Sequence, residues 1–213
     1  MKKATLILLI LLGINCSAQN FEGIITYKVQ YSNPNSKIVS DSIFYSNTDT
    51  TYIEKHYFKG NKYKFVAEIN EKKEIELYNP NENRIYTYSE NDDFASWTDS
   101  TKRIDEIVQV VKRDTTKIEH LGKKCSAVGF QLNTGQIFFA YSNELFLNAE
   151  LYKNHKYDFW YDYLSITNSI PLIMKINTPW NKRTLKAIKI ERTEISEDEF
   201  QVPSFETLIE SVN

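Results

Sequence analysis

Apolar and polar residues alternate with period two through much of this chain. In FEGIITYKVQY, Phe21, Ile25, Tyr27, Val29 and Tyr31 share one side, and Glu22, Thr26, Lys28 and Gln30 share the other. The β-branched and aromatic content suits a half-buried strand. YIEKHYFKGNKYKFVAEI predicts a hairpin turning at Gly60-Asn61, whose second arm sets Tyr63, Phe65, Ala67 and Ile69 against Lys62, Lys64 and Glu68. EIELYNPNENRIYTYS predicts a second hairpin with Asn79 to Asn83 as its turn, where Pro80 and the asparagines supply the turn chemistry. Further strands are predicted at 123–132, 136–142, 171–178 and 184–195, the first two joined by Asn133-Thr134-Gly135. Many short strands at close spacing predict a barrel or sandwich, and the scarcity of long connections predicts mostly antiparallel pairing.

Helical spacing is scarcer. Ile104, Ile107, Val108 and Val111 recur at helical intervals in TKRIDEIVQVVKR, while Val108 and Val110 also suit a strand, so both assignments stay open. NELFLNAELYKNHKYDFWYDYL predicts one or two short helices, and SFETLIESVN a short terminal helix. No internal repeat, low-complexity tract or linker divides the chain.

The first residues follow another logic. Lys2 and Lys3 precede an apolar run from Ala4 to Ile14 and then a patch of small residues, the order of a secretory signal peptide. A membrane-spanning helix needs about 20 apolar residues, and this run is shorter. Cleavage after Ala18 places Cys16 and Ala18 at the two small-residue positions and makes Gln19 the new N-terminus. The rival is a lipoprotein site acylated at Cys16, for which Gly13 and Asn15 are poor flanking residues. Residues 1–18 are thus expected to be a signal peptide and 19–213 a single β-rich domain, exported to the periplasm, the outer membrane or the cell exterior.

Removing Lys2 and Lys3 leaves 24 basic against 28 acidic residues. That balance speaks against nucleic-acid binding, which shows a basic excess. No later apolar run approaches spanning length, so no transmembrane segment is expected in the mature chain. With Cys16 removed, Cys125 has no intramolecular partner, and the domain must be held by its own core rather than by a disulfide. As a strand residue, Cys125 is expected to be a buried structural thiol that behaves as a small hydrophobe.

Catalytic signatures are missing. His56, His120 and His155 form no H-E-x-x-H pair, and no glycine-rich phosphate loop or G-x-S-x-G elbow occurs. His120 and Cys125 are a weak nucleophile pair without an apparent oxyanion loop. Carboxylates are plentiful, which leaves a glycosidase pair open. Glu197-Asp198-Glu199 suits a solvated turn, and SENDDF lacks the glycine and glutamate spacing of a calcium loop. No metal site and no cofactor are expected. The segment LYKNHKYDFWYDYL gathers Tyr152, Tyr157, Phe159, Trp160, Tyr161 and Tyr163, rings that serve either core packing or a ligand mouth.

KIEHLGKKCSAVGFQL resembles the Leu-Gly-x-Lys-Cys opening of a strand in a family of uncharacterised secreted proteins, themselves similar to the lipoprotein-carrier (LolA/LolB-like) superfamily. FEGIITYKV, FKGNKYKF, FFAYSNEL, SIPLIMKI and ISEDEFQVPS resemble further marks of that family in the same order. The resemblance implies an incomplete antiparallel β-barrel, or half-barrel, with a few short helices and loops covering its open side around an apolar cavity. It implies a non-enzymatic carrier or sensor of a lipid or other hydrophobic small molecule, and it brings no catalytic residues. On that reading the ligand-lining residues come from the apolar sides of the strands, Phe65, Leu77, Phe139, Leu172 and Met174, with Trp160 from a cover over 145–164. The alternative is a surface-interaction or carbohydrate-binding module using the aromatics of 152–163.

The processing expectation is directly testable. N-terminal sequencing of exported protein should begin at Gln19. An acylated Cys16 at the terminus would reverse it and anchor the chain on a membrane.

Overall fold

The computed structural model describes residues 19–47 and 50–211, and the expected signal peptide, with Cys16 and Ala18, lies outside them. Gln19 is exposed at the start of the described chain. Among the described residues twelve strands form one sheet. In chain order they are β1 (Gly23–Tyr31), β2 (Thr51–Lys59), β3 (Lys62–Ile69), β4 (Lys72–Asn79), β5 (Arg84–Ser89), β6 (Phe94–Asp99), β7 (Ile107–His120), β8 (Lys123–Leu132), β9 (Gln136–Phe146), β10 (Ser169–Asn177), β11 (Lys182–Arg192) and β12 (Thr207–Glu210). The spatial order is β12-β6-β5-β4-β3-β2-β1-β11-β10-β9-β8-β7. The two end strands do not pair with each other, so the sheet stays open. The protein is mostly β, a single large unclosed sheet with few short helices, consistent with an incomplete barrel.

Most of the pairing follows the alternation. β1 puts Ile25, Tyr27 and Val29 into the core and leaves Lys28 and Gln30 exposed. The β2–β3 hairpin turns at Gly60, whose φ of 57° suits glycine. The other two expected turns join β4 to β5 and β8 to β9. Gly23 permits a closer approach: a Cβ there would stand 2.0 Å from the Glu191 carbonyl oxygen of β11.

One open assignment is settled and two segments depart from the sequence expectation. Ile107 onward is a strand, because β8 offers it a partner from Ile107 opposite Leu132 to His120 opposite Lys123, with two shifts of register on the way. β9 continues to Phe146, beyond the expected end at 142, since β10 pairs with it as far as Ser169 opposite Phe146. The expected terminal helix is instead β12, the one parallel strand of the sheet, laid along β6. Backbone bonds from Glu206 N to Asp93 O and from Ser211 N to Trp97 O satisfy the edge of β6, a gain that outweighs a weak helical pattern.

Short helices cluster where the aromatic segment predicted them. Two 3₁₀ turns, Ala149–Tyr152 and Tyr157–Phe159, lead into α2, Trp160–Thr167; α1 spans Asp41–Asn47. Asn148 caps the first turn by accepting from Glu150 N at 3.0 Å. Asn168 ends α2 in the left-handed region at φ 44°, and its Oδ1 accepts from Ala149 N. This cover docks on the concave face of the sheet. The Tyr152 hydroxyl donates to Gly60 O at 3.2 Å, and the backbone N–H groups of Lys156 and Tyr157 both donate to Ser100 O.

The sheet therefore buries both faces. The main core lies on the concave side beneath the cover and includes Phe58, Phe139, Leu172 and Tyr163. A second core lies outside β3–β6, where Val66, Ile75, Leu77 and Tyr86 meet Ile195 and Phe200 of the C-terminal segment. A 3₁₀ turn at Glu197–Phe200 carries the acidic run, whose Glu197 and Glu199 pair with Lys62 at 2.6 Å and Lys64 at 2.9 Å. Phe200→Ala should lower stability by about 3 kcal/mol through the cavity it leaves. A urea melt checks this, and a loss below ~1 kcal/mol would show that the second core carries no weight.

Candidate functional site

The concave face and its cover enclose a cavity of about 370 Å³. β1 to β5 and β9 to β11 supply its walls, and Tyr157, Asp158, Phe159 and Trp160 supply its cover. Of the six residues expected to line it, Phe65, Phe139, Trp160 and Met174 do so. Leu77 does not. On β4, Glu74 and Glu76 face the cavity, while Leu77 is fully buried in the outer core. Its strand has an apolar side and a polar side as expected, but the apolar side packs beneath the C-terminal segment. Leu172 is also fully buried, in the main core away from the cavity wall, where β10 is irregular around Pro171.

Trp160 serves two roles. It lines the cavity, yet only 8 % of it is exposed, and it packs on Phe58, Tyr63, Tyr152 and Tyr163 with ring centroids 6.0–6.3 Å apart. Its indole Nε1–H has no protein hydrogen-bond partner. Tyr152, Phe159 and Tyr163 are fully buried, so segment 152–163 presents no exposed aromatic row.

The cavity is aromatic but not purely apolar. His56 stacks on Phe65 at 3.7 Å, and Phe65 stacks on Tyr63 at 4.3 Å. Tyr31 and Tyr52 stack at 6.1 Å. Between these rings stand Glu54, Glu76, Asp158 and Arg183, which the apolar pattern did not mark. The His56 ring Nε2 lies 2.5 Å from Glu54 Oε1. Burial alone would raise the Glu54 carboxyl, but His56 and Arg183 outweigh it and hold it below the ordinary range. Burial likewise opposes the charge on Arg183, and Glu54, Tyr31 and Asp158 more than restore it. The Arg183 Nε has no hydrogen-bond partner.

Glu76 and Asp158 are compensated only in part. Burial, then the neighbouring Asp158 charge, pushes Glu76 up to about 7, although Arg183 works in the other direction and Tyr63 donates to it at 3.3 Å. Asp158 is reached by water through the mouth, yet protein crowds it on its other sides and raises it, with Arg183 in partial opposition. The backbone holds Asp158 there in a costly conformation: Asp158 and Phe159 are consecutive left-handed residues at φ 49° and 60°. A bulky Phe in that region is uncommon. The signal for these groups was the polar member of each alternating pair, Glu54 and His56 before Phe58 and Glu76 beside Leu77, which a search for apolar faces passes over.

The remaining sequence candidates are structural. Cys125 is a free, buried thiol, raised by burial, with its sulfur 3.5 Å from Lys123 O. The His120 side chain is engaged elsewhere, its Nε2 lying 2.6 Å from Ala187 O. Among the described residues no three His, Cys, Asp or Glu side chains group as metal ligands, and no helix is long and apolar enough to cross a membrane.

Comparison with known proteins adds little. No family model matches the chain, and no curated protein matches it. Among solved structures it is similar to an uncharacterized conserved protein from Thermus thermophilus, with a TM-score of 0.44 and 10 % identity over 89 % of this chain and 91 % of that one. A likeness at that level carries no argument about fold or function.

Burial also fixes the state of His155, which shares a 2.8 Å hydrogen bond with the Tyr63 hydroxyl and is held neutral down to about pH 3. Its folded value lies below its ordinary 6.5, so its contribution is full above that pH and is lost as pH falls toward 3. The loss amounts to roughly 5 kcal/mol at the acid end. Urea midpoints across that range should fall more steeply for wild type than for His155→Gln, and equal slopes would show that His155 titrates normally.

Proposed function

We propose that this chain is an exported, non-enzymatic carrier or sensor that holds a hydrophobic small molecule in its half-barrel, in the manner of the lipoprotein-carrier (LolA/LolB-like) proteins its motifs resemble. The observation that carries the reading is the cavity of about 370 Å³ between the concave sheet and the Tyr157–Trp160 cover. Its size falls within the range of small-molecule sites, roughly 300–1,000 Å³. Phe65, Phe139 and Met174 give it apolar walls. Export rests on the order of residues 1–18. The non-enzymatic part rests on the sequence, which carries no H-E-x-x-H pair, glycine-rich phosphate loop or G-x-S-x-G elbow.

The test fills the space without touching the core. Ala67 is half-buried on β3 and lines the cavity, between Glu54 and Glu74 in the sheet register. Ala67→Phe should abolish saturable binding of a neutral fluorophore such as N-phenyl-1-naphthylamine while changing stability by less than about 1.5 kcal/mol. Trp160→Ala is a poorer probe because it also dismantles the ring cluster. Failure of wild type to bind the fluorophore or any tested amphiphile would remove the support for a hydrophobic-ligand carrier.

A further inference from the structure

The polar groups of the cavity narrow the chemistry of what it holds. Five carboxylates, Glu54, Glu74, Glu76, Asp105 and Asp158, share the wall with the Arg183 guanidinium, and of these Glu74 accepts from the Ser89 hydroxyl at 2.8 Å and Asp105 from Thr134 N at 3.2 Å. Glu54 is matched twice, by the His56 hydrogen bond at 2.5 Å and by the field of Arg183. Arg183 in turn sits in the combined field of Glu54, Asp158 and the Tyr31 and Tyr52 hydroxyls. Glu76 and Asp158 feel only the shared field of that guanidinium, and among the described residues neither forms an ion pair with a side chain. Tyr63, Tyr157 and Trp160 line the same cavity. Carboxylates and aromatic rings together in a concave, partly dehydrated site form an environment that recognises organic cations.

We propose that the cavity takes an amphiphile whose polar end is a protonated amine, held by Glu76 and Asp158 among the Tyr63, Tyr157 and Trp160 rings while its apolar body lies along Phe65, Phe139 and Met174. This rests on the hydrophobic-ligand reading above and specifies its polar end. It also gives a use to the left-handed backbone at Asp158, which sets this exposed residue on the lining of the cavity. Arg183 is the opposing observation, since a guanidinium on the same wall would favour an anionic end. The acidic excess of the wall decides against it.

The titration of Glu76 makes the idea testable. The charged and titratable groups that surround it in the cavity are Glu54 and His56 from β2, Tyr63 from β3, Glu74 from its own strand, Tyr157 and Asp158 from the cover, and Arg183 from β11. Its carboxyl loses its proton near pH 7, so it is mainly neutral at pH 6 and mainly charged at pH 8. A protonated amine then gains attraction as pH rises, while a neutral head group gains none.

The experiment measures displacement of N-phenyl-1-naphthylamine from the purified protein by dodecylamine, dodecanol and dodecanoate below their micelle concentrations, at pH 6 and pH 8. Dodecylamine should bind at least about tenfold more tightly than the other two at pH 8, with the preference shrinking at pH 6. Glu76→Gln should remove the pH dependence and most of the amine preference while leaving dodecanol binding unchanged. Asp158→Asn is the second variant, because asparagine tolerates the left-handed φ of 49° and keeps the cover in place. It should lower amine affinity without lowering the melting temperature. Equal binding of all three, or a preference for dodecanoate, overturns the amine assignment and leaves the hydrophobic cavity standing. Displacement by none of them, with no fluorophore bound to wild type, overturns both.

Discussion

The docking of one aromatic segment on the concave face of an open sheet is the interaction on which the rest of this structure depends. A sheet whose end strands do not meet leaves its inner face uncovered. That face carries Phe58, Phe65, Phe139 and Leu185, too much apolar surface to leave in water. The rings of Tyr152, Phe159, Trp160 and Tyr163 cover it, and they bring polar anchors with them. Tyr152 ties down the β2–β3 turn, Ser100 receives two backbone bonds from the cover, and His155 meets Tyr63. The cover closes the open side of the sheet and leaves room for the cavity beneath it.

The same choice explains why the cavity is chemically mixed. A cover built from short 3₁₀ turns must reverse direction within a few residues, and it does so through left-handed Asp158 and Phe159. That reversal buries Phe159 and sets Asp158 at the mouth. Strand alternation on β2 and β4 sends Glu54 and Glu76 toward the same space. Buried charges cost free energy unless they are compensated. Here Glu54 has His56 and Arg183, whereas Glu76 responds by holding its proton to about pH 7. The uneven compensation is a property of the assembled cavity, since the five groups come from four separate parts of the chain.

On its outer face the sheet meets a different solution. The C-terminal segment crosses β3–β6 and buries Leu77, Ile195 and Phe200, and its acidic turn is held by Lys62 and Lys64. The exposed ion pairs orient this segment more than they stabilise it, because screened surface pairs contribute little. Its apolar residues supply the stabilisation. The strand β12 pairs with the edge of β6 and becomes the outer strand on that side of the sheet.

Local chemistry determined much of this in advance. Period-two alternation marked β1 and β3, and Gly60, Asn79–Asn83 and Asn133–Gly135 marked the β2–β3, β4–β5 and β8–β9 turns, because strand and turn preferences act over a few residues. The crowding of rings at 152–163 foretold a short helical cover, and Phe65, Phe139, Trp160 and Met174 were legible as wall residues from the apolar side of their elements. Only the tertiary structure decided which side of β4 faced inward. Glu76 and Leu77 are adjacent and point to opposite faces; the sequence distinguishes the two faces but not which core each one meets. A sheet with a core on both sides lets its polar side line a cavity. The fates of 104–111 and of the last residues also depended on distant partners, β8 and the edge of β6, whose backbone groups needed pairing. Alternation is a property of neighbours along the chain, whereas facing, curvature and edge pairing are set by segments far apart in it, and the cavity with its unmatched carboxylates belongs wholly to the second kind.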